Sequence, residues 1–260
     1  MVSDSSSPGI ASETREILGV KIAAATLRDA LGHVTTSIER REPILIGVVN
    51  AAKVVNMRRD PALREDVLSS DVIYADGMAV VWASRLLGRP LPERVAGIDL
   101  MNAILGRAAE RGWGVYCLGA EPETLSLAVE RMRADHPGLS VVGQQHGYFG
   151  ADEETAVAER IAASRPDILF VAMTSPKKEK FLARWRTKLG APVCHGVGGS
   201  FDVLAGKVQR APAGWQRLGL EWLYRVKQEP RRLWRRYLVT NTLFCGLVVK
   251  EALKRGFGGQ

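Results

Sequence analysis

Asp76 follows the apolar run Val72–Ala75 and precedes Gly77. A carboxylate at the end of a buried strand can take a proton from a bound hydroxyl, which is general-base work; an ordinary Asp-Gly turn has the same local pattern. Arg94, with Gly97 and Asp99 close behind it, offers a planar, permanently charged fork for a diphosphate or a carboxylate. The segment Met173–Phe181 puts Lys177, Lys178 and Glu179 at the start of an expected helix. Lysines there oppose the helix dipole, so the pair favours a nearby anion such as a phosphate or an acidic sugar. In the run from Gly196 to Asp202, Gly198 and Gly199 allow close backbone approach to an anion, and Asp202 can accept from a ribose or a base. A tight turn capped by an acid has the same pattern.

The absences narrow the chemistry. No Asp-x-Asp pair occurs, so a carboxylate pair for a nucleotide-bound divalent cation is not expected and the charge on a leaving diphosphate falls to Arg, Lys and helix ends. The four histidines are scattered, without an HExxH pattern, and His146 and His195 read as strand-end or core residues rather than metal ligands. There is no GxSxG elbow, Walker sequence or GxGxxG fingerprint. No metal and no cofactor are expected.

Elements must bring these residues together. Short β-branched runs at Ile44–Val49, Val72–Ala75, Val115–Leu118, Leu139–Val142, Ile168–Ala172 and Val193–Gly196 alternate with helical stretches. Proline after an acid marks two helix starts, at Pro61 and Pro122. This alternation predicts an α/β fold: a mostly parallel, Rossmann-like sheet flanked by helices on both faces, with its ligand site beyond the C-terminal strand ends. Asn50, Asp76, Lys177 and Gly198 all fall just after expected strands.

The chain has 260 residues, 46% of them hydrophobic, and a formal charge of +8, enough for a sizeable core and for anionic partners. The charge is uneven. From Lys207 to Tyr237 nine Lys or Arg face two acids, interleaved with Trp215, Trp222 and Trp234. The expected organisation is a disordered tail over 1–13, an α/β core over 14–206 and a basic, Trp-rich helical appendage over 207–260. The tail lacks the apolar stretch of a signal peptide. Three dispersed cysteines without metal-type spacing fit a reducing cytoplasm. After the arginines comes an apolar run, Leu238–Val249, short of the roughly 18 residues that cross a bilayer. Its basic flanks suit a helix lying on an anionic membrane surface, or a helix packed on the domain.

With these motifs assembled, from about Ile17 to Tyr237, the chain resembles the WecG/TagA/CpsF family of bacterial glycosyltransferases, glycosyltransferase family 26. The resemblance rests on ADG at 75–77, ERVAGIDL at 93–100, GYF at 147–149, SPKKE at 175–179, GVGGSFDVLAGKVQRAP at 196–212 and GLEWLYRVKQEPRRLWRRYL at 219–238. It implies inverting transfer of a sugar from a UDP-sugar to a polyprenyl-diphosphate-linked saccharide in exopolysaccharide or cell-envelope polysaccharide synthesis, without a metal. It also implies a protein attached peripherally to the inner face of the cell membrane, with no nucleic-acid partner; a homo-oligomer stays open. Asp76 looks like the family's base and Arg94 like its arginine near the active centre. Gly198, Gly199, Phe201 and Asp202 look like part of a UDP pocket, and Arg210, Arg225, Arg231 and Arg232 like phosphate-facing residues of the appendage. Asn50, Gly77, Gly97, Asp99, Lys177, Lys178 and Glu179 complete the expected substrate site. Two positions depart from the family pattern: Val48 stands where Thr is frequent, and Lys178 replaces an amide with an ammonium. A basic α/β nucleic-acid-binding protein is the alternative reading of the C-terminal charge. A nicotinamide-dependent oxidoreductase has only the fold class in its favour.

Overall fold

The computed structural model describes residues 13–256. The tail expected over 1–13 therefore lies outside the described residues except for Glu13, as do residues 257–260 and the side chains of Arg232 and Arg255.

Eight strands are present among the described residues. β1 (Thr14–Ile17) and β2 (Val20–Ala23) form an antiparallel hairpin. The other six make one parallel sheet: β3 (Ile44–Val49), β4 (Val72–Ala75), β5 (Gly114–Gly119), β6 (Ser140–Gln145), β7 (Ile168–Ala172) and β8 (Val193–Gly196). Their spatial order is β4-β3-β8-β7-β5-β6. Strands β4, β5, β7 and β8 are buried along their whole length, as expected where helices cover both faces of a parallel sheet. β6 alternates exposed and half-buried positions, which marks it as an edge. The other edge strand, β4, is fully buried, and β2 packs beside it, so the hairpin covers that edge.

Three apolar clusters hold the layers together. On one face, Ile44, Ile46, Val48, Tyr74, Cys117 and Phe170 pack under α1 (Leu27–Arg40), α5 (Gly97–Arg111) and α6 (Pro122–Asp135). Positions one residue along the same strands point the other way, because strand side chains alternate. Val49, Ile73 and Ala75 pack with α2 (Ala51–Arg59), α3 (Pro61–Leu68) and α4 (Met78–Leu86). Leu118, Leu169, Val171 and Cys194 pack with α7 (Glu154–Ala163) and α8 (Lys177–Trp185).

Helix ends follow local chemistry. Thr26 and Asp29 form a reciprocal capping box on α1, and the Asp60 side chain accepts from Leu63 N at the start of α3, with Pro61 in its first turn. Beyond β8 come α9 (Ser200–Leu204), α10 (Ala213–Arg217), α11 (Glu221–Gln228) and α12 (Pro230–Gly256). The last of these joins the basic stretch and the apolar run into one helix. It returns to lie on α2, and its Phe244 and Val248 are buried in the same cluster as Ile17 and Val49.

Candidate active site

The β3 and β4 ends converge on one carboxylate. Asp76 leaves β4 directly, its backbone N–H donating to Val49 O at 2.9 Å. Its Oδ1 accepts from the backbone N–H of Gly97, the first residue of α5, at 2.8 Å. Its Oδ2 takes a longer contact, 3.4 Å, from Nδ2 of Asn50. The Asn50 oxygen meanwhile caps α2 by accepting from Lys53 N at 3.0 Å. One amide thus starts a helix and steadies the carboxylate. Asp76 is half-buried, and its more weakly held Oδ2 is the oxygen free to take a proton.

His195, on β8, lies behind Gly97. Its Nε2 is 3.3 Å from Gly97 O, and a side chain at Gly97 would start 3.7 Å from that nitrogen and 3.8 Å from Asp76 Oδ1. The ring is 0% exposed. Burial pushes it down to about 4, against the hydrogen bond to Gly97, so it stands neutral beside the carboxylate at neutral pH.

A buried charge group lies under the glycine turn. Lys178 and Glu179 are each 7% exposed. Glu179 Oε1 accepts from Lys53 Nζ at 2.8 Å and sits 3.4 Å from Lys178 Nζ. Burial lowers Lys178 to about 8, helped by the neighbouring Lys53 and opposed by Glu179. Burial would raise Glu179, but the two ammonium groups outweigh it and hold the acid at about 2. The Lys178 stem runs so close to Gly196 that a Cβ there would sit 2.7 Å from its Cδ. Gly198, at φ +56°, turns the backbone over the ammonium, with 3.7 Å from its Cβ position to Nζ. These two glycines are required, one by contact and one by conformation.

The anion expected to balance the two lysines at this helix start is therefore internal. Lys178 is answered by Glu179 of its own helix. Lys177 donates to Gly147 O and Phe149 O, both at 2.9 Å, and lies 4.3 Å from the centre of the Phe149 ring. It fastens the loop after β6 instead of presenting its charge to a ligand. Phe201 is another correction to the expected pocket: it is 0% exposed within the core, so its ring seats α9 and has no face for a nucleotide. Gly199 and Asp202 stay at the turn, with 3.5 Å from the Cβ position of one to Oδ2 of the other.

A second constellation joins the sheet domain to the C-terminal helices. Arg94 donates to Glu221 Oε2 at 2.5 Å and lies 3.5 Å from Asp99 Oδ2. Arg210 Nη2 comes within 2.6 Å of Asp99 Oδ1, and its Nε is 3.9 Å from Glu221 Oε1. Arg94, Asp99 and Arg210 thus meet in one cluster through Glu221, one of only two acids between Lys207 and Tyr237. Arg225 and Arg231 are exposed on α11 and α12. Lys53 lies in the stretch after β3, where a parallel sheet gathers its ligand-side residues, and His195 is the core residue its sequence position suggests. Among the described residues no group of three His, Cys, Asp or Glu could hold a metal ion.

The parallel sheet thus carries a held carboxylate, Asp76, at the C-terminal end of an edge strand, and the guanidinium groups of Arg94 and Arg210 cluster around the helix that holds it. Residues 15–257 match the model of the glycosyl transferase WecG/TagA/CpsF family. The chain belongs to that family and is a glycosyltransferase. It is 35% identical over 227 residues to an N-acetylglucosaminyldiphosphoundecaprenol N-acetyl-beta-D-mannosaminyltransferase of Bacillus spizizenii, covering 87% of each chain.

Proposed function

We propose that the chain transfers a sugar from a UDP-sugar to a polyprenyl-diphosphate-linked saccharide, with inversion and without a metal. The observation that carries this reading is Asp76, held at the sheet's C-terminal mouth by Gly97 and Asn50. The acceptor hydroxyl gives its proton to Asp76 Oδ2 and attacks the anomeric carbon from the face opposite UDP. The new glycosidic C–O bond forms as the bond to UDP breaks, and the electron pair leaves on the diphosphate. Arg94 and Arg210 offset that charge. The name of the Bacillus spizizenii relative supports an N-acetylhexosamine as the donor sugar and N-acetylglucosaminyl diphosphoundecaprenol as the acceptor.

We also propose peripheral attachment to the inner face of the cell membrane through α12. No described helix is long and apolar enough to cross a membrane. Yet Trp234 and Leu238 are exposed on α12 beside Arg231, Arg235 and Arg236, and Val249 and Leu253 are exposed farther along the same helix, beside Lys250. Basic side chains with exposed aromatic and apolar neighbours suit an anionic interface.

The experiment is transfer by the purified chain from UDP-N-acetylmannosamine or UDP-N-acetylglucosamine to a short-chain polyprenyl-diphosphate N-acetylglucosamine, followed by mass spectrometry of the lipid product. An added sugar mass is expected. An unchanged acceptor with every UDP-sugar tried, together with tight, salt-sensitive oligonucleotide binding, would replace this reading with a nucleic-acid one.

A further inference from the structure

The diphosphate-facing arginines are already occupied. Arg94 comes from the loop before α5, Asp99 from the first turn of α5, Arg210 from the stretch after α9 and Glu221 from the first turn of α11. Two guanidinium groups meet two carboxylates, and the cluster's formal charge closes at zero. We propose that Asp99 and Glu221 are exchangeable counter-ions, which hold Arg94 and Arg210 in the free enzyme and yield them to the phosphate oxygens of the donor. This rests on the UDP-sugar reading above.

Three features support exchange over a fixed clamp. First, the Arg210 pairing is close but badly aimed: Nη2 is 2.6 Å from Asp99, yet neither Nη2 nor Nε, both buried, makes a hydrogen bond of good geometry. Buried guanidinium donors left in that state gain when an in-plane oxygen pair arrives, which a diphosphate provides. Second, each carboxylate has another positive partner when it lets go. Asp99 and Glu221 both lie in first helical turns, where the dipole favours negative charge. Third, the cluster is tied to the base. Gly97, which donates to Asp76, precedes Asp99 by two residues in the same turn of α5, and Glu221 ties α11 to Arg94, in the loop that leads into that turn. Arrival of the diphosphate and placement of Asp76 therefore act on one piece of backbone.

A fixed clamp and an exchangeable one predict opposite signs. UDP affinity is measured by calorimetry for the full chain, for Glu221→Gln and for Asp99→Asn, with kcat and donor KM for each. Removing a competing carboxylate is expected to tighten UDP binding about three- to tenfold, the span of one half-buried ion pair. Donor KM is expected to fall with it while kcat drops, because the loop and first turn that present Gly97 to Asp76 lose one of their ion pairs. Glu221→Asp, which keeps the charge, is expected to restore wild-type UDP affinity. The two acids lie on different helices, so Asp99→Asn decides the matter should Glu221→Gln fail to fold. UDP binding that weakens or stays level in folded variants, while the wild-type chain binds UDP, overturns the exchange alone. A wild-type chain that binds no UDP overturns the UDP-sugar reading and the exchange with it.

Discussion

Asp76 and Gly97 are joined by a 2.8 Å hydrogen bond from the backbone N–H of Gly97 to the Asp76 carboxylate. The bond fixes the orientation of a side chain at the end of β4 from the first residue of α5, and it commits Oδ1 while Oδ2 keeps only the longer contact from Asn50. Asp76→Asn keeps an oxygen to accept from Gly97 and should preserve both the fold and UDP binding. Turnover should fall by about 100-fold or more, the usual scale for a lost general base. Steady-state transfer assays beside UDP calorimetry check this, and near-normal turnover would remove Asp76 from the mechanism.

Lys178 sets an alkaline limit. Burial brings it from 10.5 to about 8, so its positive charge is complete at pH 6 and is lost as pH rises through 8. Transfer rate should decline over that interval. Lys178→Gln, which restores the amide usual in the family, should abolish this limb and run slower at pH 6. Stability moves the other way: the unfolded chain holds the proton up to 10.5, so the folded form gains between about 8 and 10.5. Rate and melting temperature recorded across pH 6 to about 10 separate the two effects. An alkaline limb unchanged in Lys178→Gln assigns it to another group.

Glu179 is the acid between two ammonium groups, and removing it strands both. Glu179→Gln should destabilise the fold by about 3 kcal/mol or more, the scale for breaking a buried ion pair from one side. In the wild type the acid's contribution is present above 4.5, its ordinary value, and is lost as pH falls from there towards about 2. Urea melts at pH 7 and pH 3 should show a large gap between variant and wild type that shrinks at the lower pH.

The two sides of α12 should respond separately. Phe244→Ala removes a buried ring from the cluster that also holds Val49, and should cost about 3 kcal/mol of stability. Trp234 is 53% exposed, and Trp234→Glu together with Leu238→Glu should leave the melting temperature unchanged while releasing the chain from anionic vesicles. Sedimentation with vesicles at two salt concentrations tests this; retention of the double variant would assign the exposed face another role.

Chelation should leave transfer intact. The negative charge of a leaving diphosphate is met in the proposal by Arg94 and Arg210, and Arg210→Ala should slow transfer where EDTA does not. Loss on EDTA treatment that Mn²⁺ or Mg²⁺ reverses would refute metal independence.

The sheet was readable because its strands are short β-branched runs, and Ile44–Val49 and Val72–Ala75 begin and end where the pattern says. β6 was misplaced. Its second half, Gly143-Gln144-Gln145, is polar, and an edge strand needs only backbone pairing on one side to form. The β1–β2 hairpin escaped notice because its turn is Leu18-Gly19, where a leucine takes positive φ without the usual Asn or Asp. For the site, Asp76 announces itself by its place after a strand. Glu221 and Lys53 do not, since their significance lies in partners 127 and 126 residues away.

The cluster beneath the β1–β2 hairpin contains Ile17 from near the start of the chain and Val248 from near its end. During synthesis that layer has to wait: the two other clusters draw on residues no later than Leu204 and can pack while translation continues, whereas this one lacks its last helix until Phe244 and Val248 leave the ribosome. The order of maturation is thus sheet first and α12 last, so a nascent chain stalled before Pro230 should show a protease-resistant β5–β8 half beside a cleavable N-terminal hairpin. The surface proposed for the membrane is completed in the same closing step, which delays lipid contact until Asp76 and its neighbours are already in place.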